Sequence, residues 1–216
     1  MGLLDLLMPP ACAGCGRSGS LLCQRCRQAF RPPSEADDRF VAPDAGVVIG
    51  EALQVALAAF AYEGPMRKAL AGLKYGGTSR LAPILADAAA PALQRLLAIE
   101  GEATLVPVPV HAERRRARGY NQAELIARRL AEASRLPIGD LLVRARSTTK
   151  QHRLDRAARL KNLRGAFGIA PGVGVPGRVI VIDDIITTNA TLEACASVLA
   201  DAGCAAVYGF AIAQEV

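Results

Sequence analysis

The sequence predicts an α/β protein, with a parallel sheet flanked by helices and a small cysteine-rich segment at the N-terminus. Three observations lead to this prediction. Strand-like segments alternate with segments of helical periodicity along most of the 216 residues, which is typical of parallel sheets. The run "RVIVI" (178–182) is continuously apolar and β-branched apart from its first residue, as in a strand buried on both faces. Four of the six cysteines fall within residues 1–30.

The elements of this fold can be placed in order from periodicity and composition. Strands are predicted at 55–62, 104–110, 178–182 and 205–213, and helices at 65–75, 83–97, 120–134 and 190–202. Pro91 is expected to kink or split the second of these helices. Residues 31–46 contain three prolines and several charges and are interpreted as a linker. The chain is therefore divided into a cysteine module at 1–30, a linker at 31–46 and an α/β domain at 47–216.

Composition restricts the class of protein and its compartment. Hydrophobic residues make up 51% of the chain, which favours a globular protein over a disordered one. No apolar run reaches the roughly 20 residues that a membrane span needs, so no membrane insertion is expected. The N-terminus lacks the basic start of a signal peptide, and "CAGC" matches a lipoprotein cleavage site only in part. We therefore expect a cytoplasmic protein whose cysteines are reduced.

The positive charge of the chain is concentrated in two segments. The net charge is +6 overall, with +7 in residues 141–165 and +4 in residues 111–135. Such local excess indicates a polyanionic partner, either the phosphates of a small molecule or nucleic acid. For 111–135, a solvated helical face explains the charge equally well.

Two CxxC pairs mark the N-terminal segment as a metal site. Cys12 and Cys15 form the first pair, and Cys23 and Cys26 follow closely. Four thiolates make the closed tetrahedral set that Zn²⁺ prefers in structural sites. The alternatives are a redox CxxC, which needs only one pair, and unrelated core cysteines. A segment this short has little core of its own, so metal binding would supply its folding energy.

Two carboxylates and several hydroxyls follow the run at 178–182. Asp183 and Asp184 are expected at the end of this strand, where ligands of parallel sheets bind. Paired carboxylates accept hydrogen bonds from a vicinal diol, and the N-terminus of the next helix suits a phosphate. A ribose 5-phosphate has both groups. The alternative is an Asp turn followed by a Thr N-cap.

The stretch "VIVIDDIITTNATLEA" resembles the motif by which type I phosphoribosyltransferases bind phosphoribosyl pyrophosphate (PRPP). The resemblance implies that Asp183 and Asp184 hold the ribose hydroxyls. It assigns the 5-phosphate to the loop formed by Thr187, Thr188, Asn189, Ala190 and Thr191. Asn189 stands where the family usually has Gly, and Asn is one of the few other residues that tolerate a positive φ.

Two further stretches, "VPVPVHAERRRARGYNQAELIARRLA" (106–131) and "TKQHRLDRAARLKNLRGAF" (149–167), resemble the ComF family, whose members are linked to DNA uptake. The resemblance implies a type I phosphoribosyltransferase-like fold with an N-terminal zinc module. It assigns the pyrophosphate loop to Pro107, Val108, Pro109 and Val110, with Arg118, Asn121 and Gln122 nearby. Residues 144–164 would form a hood over PRPP and its Mg²⁺. The candidate catalytic residues of that hood are Lys150, Gln151, Arg153 and Arg159, and the candidate nucleic-acid contacts are Arg118, Arg153, Arg156, Arg159 and Lys161.

Three functions remain open at this point. The ComF resemblance favours a protein that handles single-stranded DNA during natural transformation and binds PRPP or a related ribose phosphate. The competence helicase that translocates DNA would then be a possible partner. The alternative is an active phosphoribosyltransferase that transfers the phosphoribosyl group to an acceptor which no residue identifies. A scaffold with a vestigial pocket is the third.

Overall fold

The computed structural model describes residues 9–33, 51–144 and 165–215. The helices of these residues are α1 (Gln24–Gln28), α2 (Gly64–Tyr75), α3 (Leu81–Glu100), α4 (Ala112–Arg118), α5 (Gln122–Ser134) and α6 (Ala190–Asp201). Their strands are β1 (Leu53–Ala61), β2 (Thr104–Pro107), β3 (Leu142–Arg144), β4 (Phe167–Ile169), β5 (Arg178–Ile186) and β6 (Ala206–Gln214).

Four strands form a parallel sheet in the order β1-β6-β5-β2. Outside β2, the backbone around Ile138 runs parallel to it, because the N–H groups of Leu105 and Gly139 donate across this edge at 2.9 and 3.0 Å. Strands β3 and β4 form a separate antiparallel hairpin. The predicted α/β fold, with a parallel sheet flanked by helices, is confirmed.

The sheet separates two apolar cores. On one face, Ile180 and Ile182 of β5 pack with residues of α2, α3 and α5. On the other face, Val179 and Val181 pack with α6 and the β3–β4 hairpin. Side chains of a strand alternate between its faces, so the apolar run of β5 supplies both cores at once.

The cysteine segment lies on the same core as α2. Cys12, Leu22 and Cys26 are buried in one cluster with the apolar face of α2. The rings of Phe30 and Phe60 are 5.2 Å apart between centroids. The division into module, linker and α/β domain stays a prediction, since 34–50 lie outside the described residues.

Two local expectations need correction. Strand β5 does not end at residue 182 but continues to Ile186, because β6 pairs with it along the whole of that length. Helix α3 runs unbroken through Pro91, so the expected split is wrong. Helices α1 and α4 and the β3–β4 hairpin were not predicted from the sequence.

Helix α3 also passes a composition test for membrane spans. Its 20 residues are long and apolar enough to cross a membrane by length and composition alone, the one such helix among the described residues. Its apolar stripe is buried against the sheet and α5. Core helices of globular proteins meet the same criterion, so α3 is weak evidence for membrane insertion.

Candidate functional site

A crevice opens at the carboxyl edge of the sheet between β2 and β5. The chain leaves β2 for α5 on one face of the sheet and leaves β5 for α6 on the other. Two adjacent parallel strands whose connections diverge in this way define a topological switch point, where ligands of α/β sheets bind. The segments 108–111 and 187–189 follow β2 and β5 at this edge.

The two aspartates predicted for the site lie on the open part of β5. Strand β2 pairs with β5 only as far as Ile182, so Asp183 and Asp184 extend beyond it. Asp184 is buried and forms an ion pair with Lys74 of α2, whose Nζ lies 3.1 Å from Oδ2. Asp183 follows Val181 toward the face of α6 and accepts the N–H of Asp184 at 2.8 Å. The side chains of the two aspartates therefore point to opposite faces of the sheet.

The environment of Asp183 disfavours its ionised form. Burial and the neighbouring charge of Asp184 raise the pKa of Asp183 to about 8, although Lys74 acts in the opposite sense. Asp184 in turn raises the pKa of Lys74, despite the opposing effect of burial. The site thus holds one firm ion pair and one carboxyl group that takes up or releases a proton near neutral pH.

The loop after β5 contains a residue in the left-handed conformation. Asn189 has φ 58° and ψ −3° and precedes the first residue of α6. The expectation that Asn189 accommodates a positive φ is confirmed. Its side chain is buried, and its Oδ1 receives no hydrogen bond from the described part of the chain. The backbone carbonyl of Asn189 accepts the N–H of Glu193, which fixes the loop to the helix.

The loop after β2 is held against the aspartates by backbone bonds. The N–H of Val108 donates to the carbonyl of Ile182 at 2.9 Å. Asn121, the N-cap of α5, donates its Nδ2 to the carbonyl of Val108 at 3.0 Å. Arg118 donates to the side-chain oxygen of Gln122. The structure thus places 107–110 beside Asp183, with the predicted Asn121 bonded directly to that loop.

Sequence analysis missed Lys74, Tyr75 and Arg114, of which Lys74 pairs with Asp184. Together with the predicted Arg118 they line a cavity of about 390 Å³. Burial of the Arg144 guanidinium and the nearby positive charge of Arg114 both lower the pKa of Arg144. The sequence signal that could have pointed to Lys74 and Tyr75 is "LKYGG" (73–77), in which a lysine and a tyrosine directly follow the last apolar residue of a helix.

The four N-terminal cysteines are positioned to bind a metal ion. The sulfur atoms of Cys12, Cys15, Cys23 and Cys26 all lie within 4.8 Å of one another. The Sγ atoms of Cys15 and Cys23 are 3.7 Å apart, close to the roughly 3.8 Å that a tetrahedral ion with metal–sulfur bonds of about 2.3 Å requires. A Cβ at Gly14 would lie 2.7 Å from the Cys26 sulfur, so glycine is needed here.

Ionisation of these thiols is uneven in the protein alone. Burial opposes ionisation of Cys12, but backbone N–H groups led by that of Cys23 lower its pKa to about 6. Burial and the neighbouring sulfurs raise the pKa of Cys26 to about 12. A bound cation would offset the repulsion between neighbouring thiolates, and its binding would release the protons of the remaining thiols.

Part of the predicted site lies outside the described residues. This applies to the hood candidates Lys150, Gln151, Arg153 and Arg159 and to Arg156 and Lys161. Of the predicted nucleic-acid contacts, Arg118 is described, and it lines the cavity next to the crevice.

Fold and site together define an α/β protein with a polar crevice at the carboxyl edge of a parallel sheet and a metal-binding cysteine cluster packed on the same core. No protein-family model matches the chain. Competence protein F of Haemophilus influenzae is 34% identical over 102 residues, which are 46% of this chain and 44% of that protein. DNA utilization protein YhgH of Escherichia coli is 33% identical over 105 residues, which are 48% and 45% of the two chains.

Competence protein ComFC of Streptococcus pneumoniae is similar over a longer stretch. It is 29% identical over 163 residues, which are 73% of this chain and 67% of that protein. These similarities support membership of the chain in the ComF family. The chain spans less than half the length of the first two relatives.

Proposed function

We propose that this protein binds PRPP or a related ribose phosphate in the crevice between β2 and β5, and that it acts in the handling of single-stranded DNA during DNA uptake. The names of the relatives, competence and DNA utilization proteins, support the second part. We propose that the protein acts in the cytoplasm.

The observation that carries the first part is a pair of buried oxygens with unused acceptor capacity. Asn189 Oδ1 is buried and receives no hydrogen bond from the described residues. Asp184 Oδ2 is buried beside Lys74 Nζ at 3.1 Å, and a carboxylate oxygen can accept more than one donor. An acceptor buried without a partner costs about 1–3 kcal/mol, which a donor of a bound sugar phosphate would recover.

The surroundings suit the remaining groups of such a ligand. The 5-phosphate would lie at the turn formed by 187–191, where the N–H groups at the start of α6 point outward. The pyrophosphate would lie along 107–110. Mg²⁺, when bound with PRPP, would neutralise part of the pyrophosphate charge.

Zinc is the metal that we propose for the cysteine cluster. Four sulfur ligands in a closed set favour Zn²⁺ over the oxygen-seeking cations Mg²⁺ and Ca²⁺. Purified protein should contain about one zinc per chain. Metal-free protein in which residues 9–33 stay folded would exclude this role.

The alternative function is phosphoribosyl transfer. The same crevice would hold PRPP while an acceptor attacks C1 of the ribose, so that the bond to the pyrophosphate oxygen breaks and pyrophosphate leaves with the electron pair. The observation in favour is that the proposed pyrophosphate loop at 107–110 is bonded to the residue before the acidic pair, since the N–H of Val108 donates to the carbonyl of Ile182. The acceptor is not identified by any residue of the site.

Calorimetric titration of PRPP with Mg²⁺ tests the binding proposal. Asp184→Asn should weaken binding about 30-fold or more, because a charged hydrogen bond of about 2 kcal/mol is lost. Asp201→Asn, which removes the same charge from the exposed far end of α6, serves as the matched control and should bind like the parent. Equal affinity for all three proteins would exclude the crevice as the PRPP site.

Pyrophosphate release separates the two functions. PRPP binding without release of pyrophosphate, in the presence of a panel of nucleobase and amine acceptors, supports the DNA-handling function. Acceptor-dependent release would favour the transferase.

A further inference from the structure

A cavity lies between the end of α2 and α4, and it adjoins the crevice through Lys74. Its lining residues are Lys74, Tyr75, Gly77, Arg114, Ala117 and Arg118. Lys74 stands at the boundary, since it lines the cavity and also pairs with Asp184 of the crevice. The volume of about 390 Å³ is within the range of small-molecule sites.

Two arginines give this cavity an uncompensated positive charge. Arg114 and Arg118 are one helical turn apart on α4, and both are half-buried. In the described part of the chain no carboxylate pairs with either of them, whereas Arg115 of the same helix pairs with Glu124 at 3.2 Å. The neutral amide of Gln122 leaves the charge of Arg118 uncompensated.

Like charges at this helical spacing destabilise the helix. A bound anion would remove that cost, and a phosphate is the anion that the planar guanidinium groups suit best.

An exposed aromatic ring faces the same space. Tyr75 is 72% exposed, which is unusual for a tyrosine at the end of a core helix. The guanidinium of Arg118 lies over its ring, 5.8 Å from the centroid. The hydroxyl of Tyr120 donates to the carbonyl of Leu73 at 2.6 Å and fixes the end of α2 against the following segment. An exposed aromatic ring next to arginines is the arrangement on which single-stranded nucleic acids stack their bases.

We propose that this cavity binds one nucleotide unit of single-stranded DNA, with the base stacked on Tyr75 and a phosphate held by Arg114 and Arg118. The inference rests on the DNA-handling part of the proposed function and gives it a defined contact. A free nucleotide presents the same base and phosphate. The nucleotide and the ribose phosphate of the crevice would then lie on two sides of Lys74.

The test measures the affinity of a fluorescent oligothymidylate by anisotropy at several salt concentrations. Tyr75→Ala should weaken binding about tenfold through loss of stacking, whereas Tyr75→Phe should retain it within about twofold because the ring remains. Arg114→Ala should reduce the slope of log affinity against log salt by about 0.7, the value for one lost phosphate contact. Arg116→Ala removes the same charge from an exposed position of α4 that does not line the cavity, and it should leave the slope nearly unchanged.

Thymidine 5′-monophosphate distinguishes the two sources of the nucleotide. A monophosphate that competes only at concentrations far above those of the oligonucleotide supports DNA as the ligand. Competition at equal concentrations, still dependent on Tyr75, would overturn DNA in favour of a free nucleotide.

PRPP titrations of the same variants keep this inference distinct from the proposal for the crevice. Tyr75→Ala should bind PRPP like the parent. A parent protein that fails to bind PRPP but binds oligonucleotide through Tyr75 would sink the crevice proposal alone. Oligonucleotide binding that is equal in the parent and Tyr75→Ala, with equal salt slopes for Arg114→Ala and Arg116→Ala, would overturn the nucleotide site.

Discussion

Replacing Asp183 by Asn should stabilise the ligand-free protein at alkaline pH. The carboxyl group of Asp183 lies beside the charge of Asp184. The repulsion between the two ionised carboxylates is only partly offset by the positive charges of Lys74 and, on the other face of the sheet, Arg144. The buried thiol of Cys195, the remaining titratable neighbour, is kept neutral because burial raises its pKa well above the ordinary value. An amide at position 183 can still accept the N–H of Asp184 but never acquires a charge.

The direction of the pH dependence follows from the two pKa values. The pKa of Asp183 is about 8 in the folded protein against an ordinary value of 3.8. Between these values the folded chain holds a proton that the unfolded chain has released, so the free energy of unfolding falls as pH rises. At about 1.4 kcal/mol per pH unit, the free energy of unfolding would fall by about 6 kcal/mol over the full interval between the two pKa values. Asp183 is only half-buried, and solvent screening reduces the expected gain for Asp183→Asn to about 2 kcal/mol near pH 9.

Urea denaturation near pH 5 and near pH 9, followed by circular dichroism, measures this difference. Asp184→Asn is the matched control with the opposite sign: it leaves Lys74 without its partner and should destabilise the protein by about 2–4 kcal/mol. A parent protein whose stability does not fall between the two pH values would refute the reasoning, as would an Asp183→Asn variant that is less stable than the parent near pH 9.

Three further changes test the local geometry. Gly14→Ala should destabilise the protein by about 1–3 kcal/mol, because its Cβ would lie 2.7 Å from the Cys26 sulfur. Gly174→Ala, with open space around it, should be neutral in the same thermal melts. Glu193→Gln should lower the free energy of unfolding by about 2–4 kcal/mol, because the Glu193 carboxylate accepts three backbone N–H groups of 51–53 at 3.0–3.1 Å. The same change at the exposed Glu102 checks for a general charge effect. Asn189→Gly should keep the stability of the parent whereas Asn189→Ala should lose about 1 kcal/mol, and equal melting of the two would contradict a strained φ of 58°.

The fold was largely predictable because its periodic signals are strong. The stripe of Leu192, Cys195 and Leu199 predicts α6, and all three are buried. The end of β5 was misplaced because the strand signal in the sequence stops at charged residues, whereas the pairing with β6 that extends the strand depends on a distant segment. Short elements such as α1 and the β3–β4 hairpin carry too few residues for a periodic pattern.

The site was predictable where its residues are adjacent in sequence. The acidic pair and the loop at 187–191 form one motif, and the four cysteines form another. Lys74 and Arg114 reach the site only through the packing of α2 and α4, so no local pattern connects them to the aspartates. The raised pKa of Asp183 likewise depends first on burial, which the sequence does not reveal.

Helix α2 touches both the cysteine cluster and the acidic crevice. Its first turn packs against the cysteine segment, since a Cβ at Gly14 would lie 3.2 Å from Pro65. Its last turn carries Lys74, which pairs with Asp184. Twelve helical residues span about 18 Å and transmit a shift at one end to the other as a rigid rod. Loss of the metal should therefore loosen the Lys74–Asp184 pair and lower the affinity for PRPP. By thermodynamic reciprocity PRPP, if it binds as proposed, should slow the extraction of the metal by a chelator, so that the metal content of the protein would set the affinity of the proposed ribose-phosphate site.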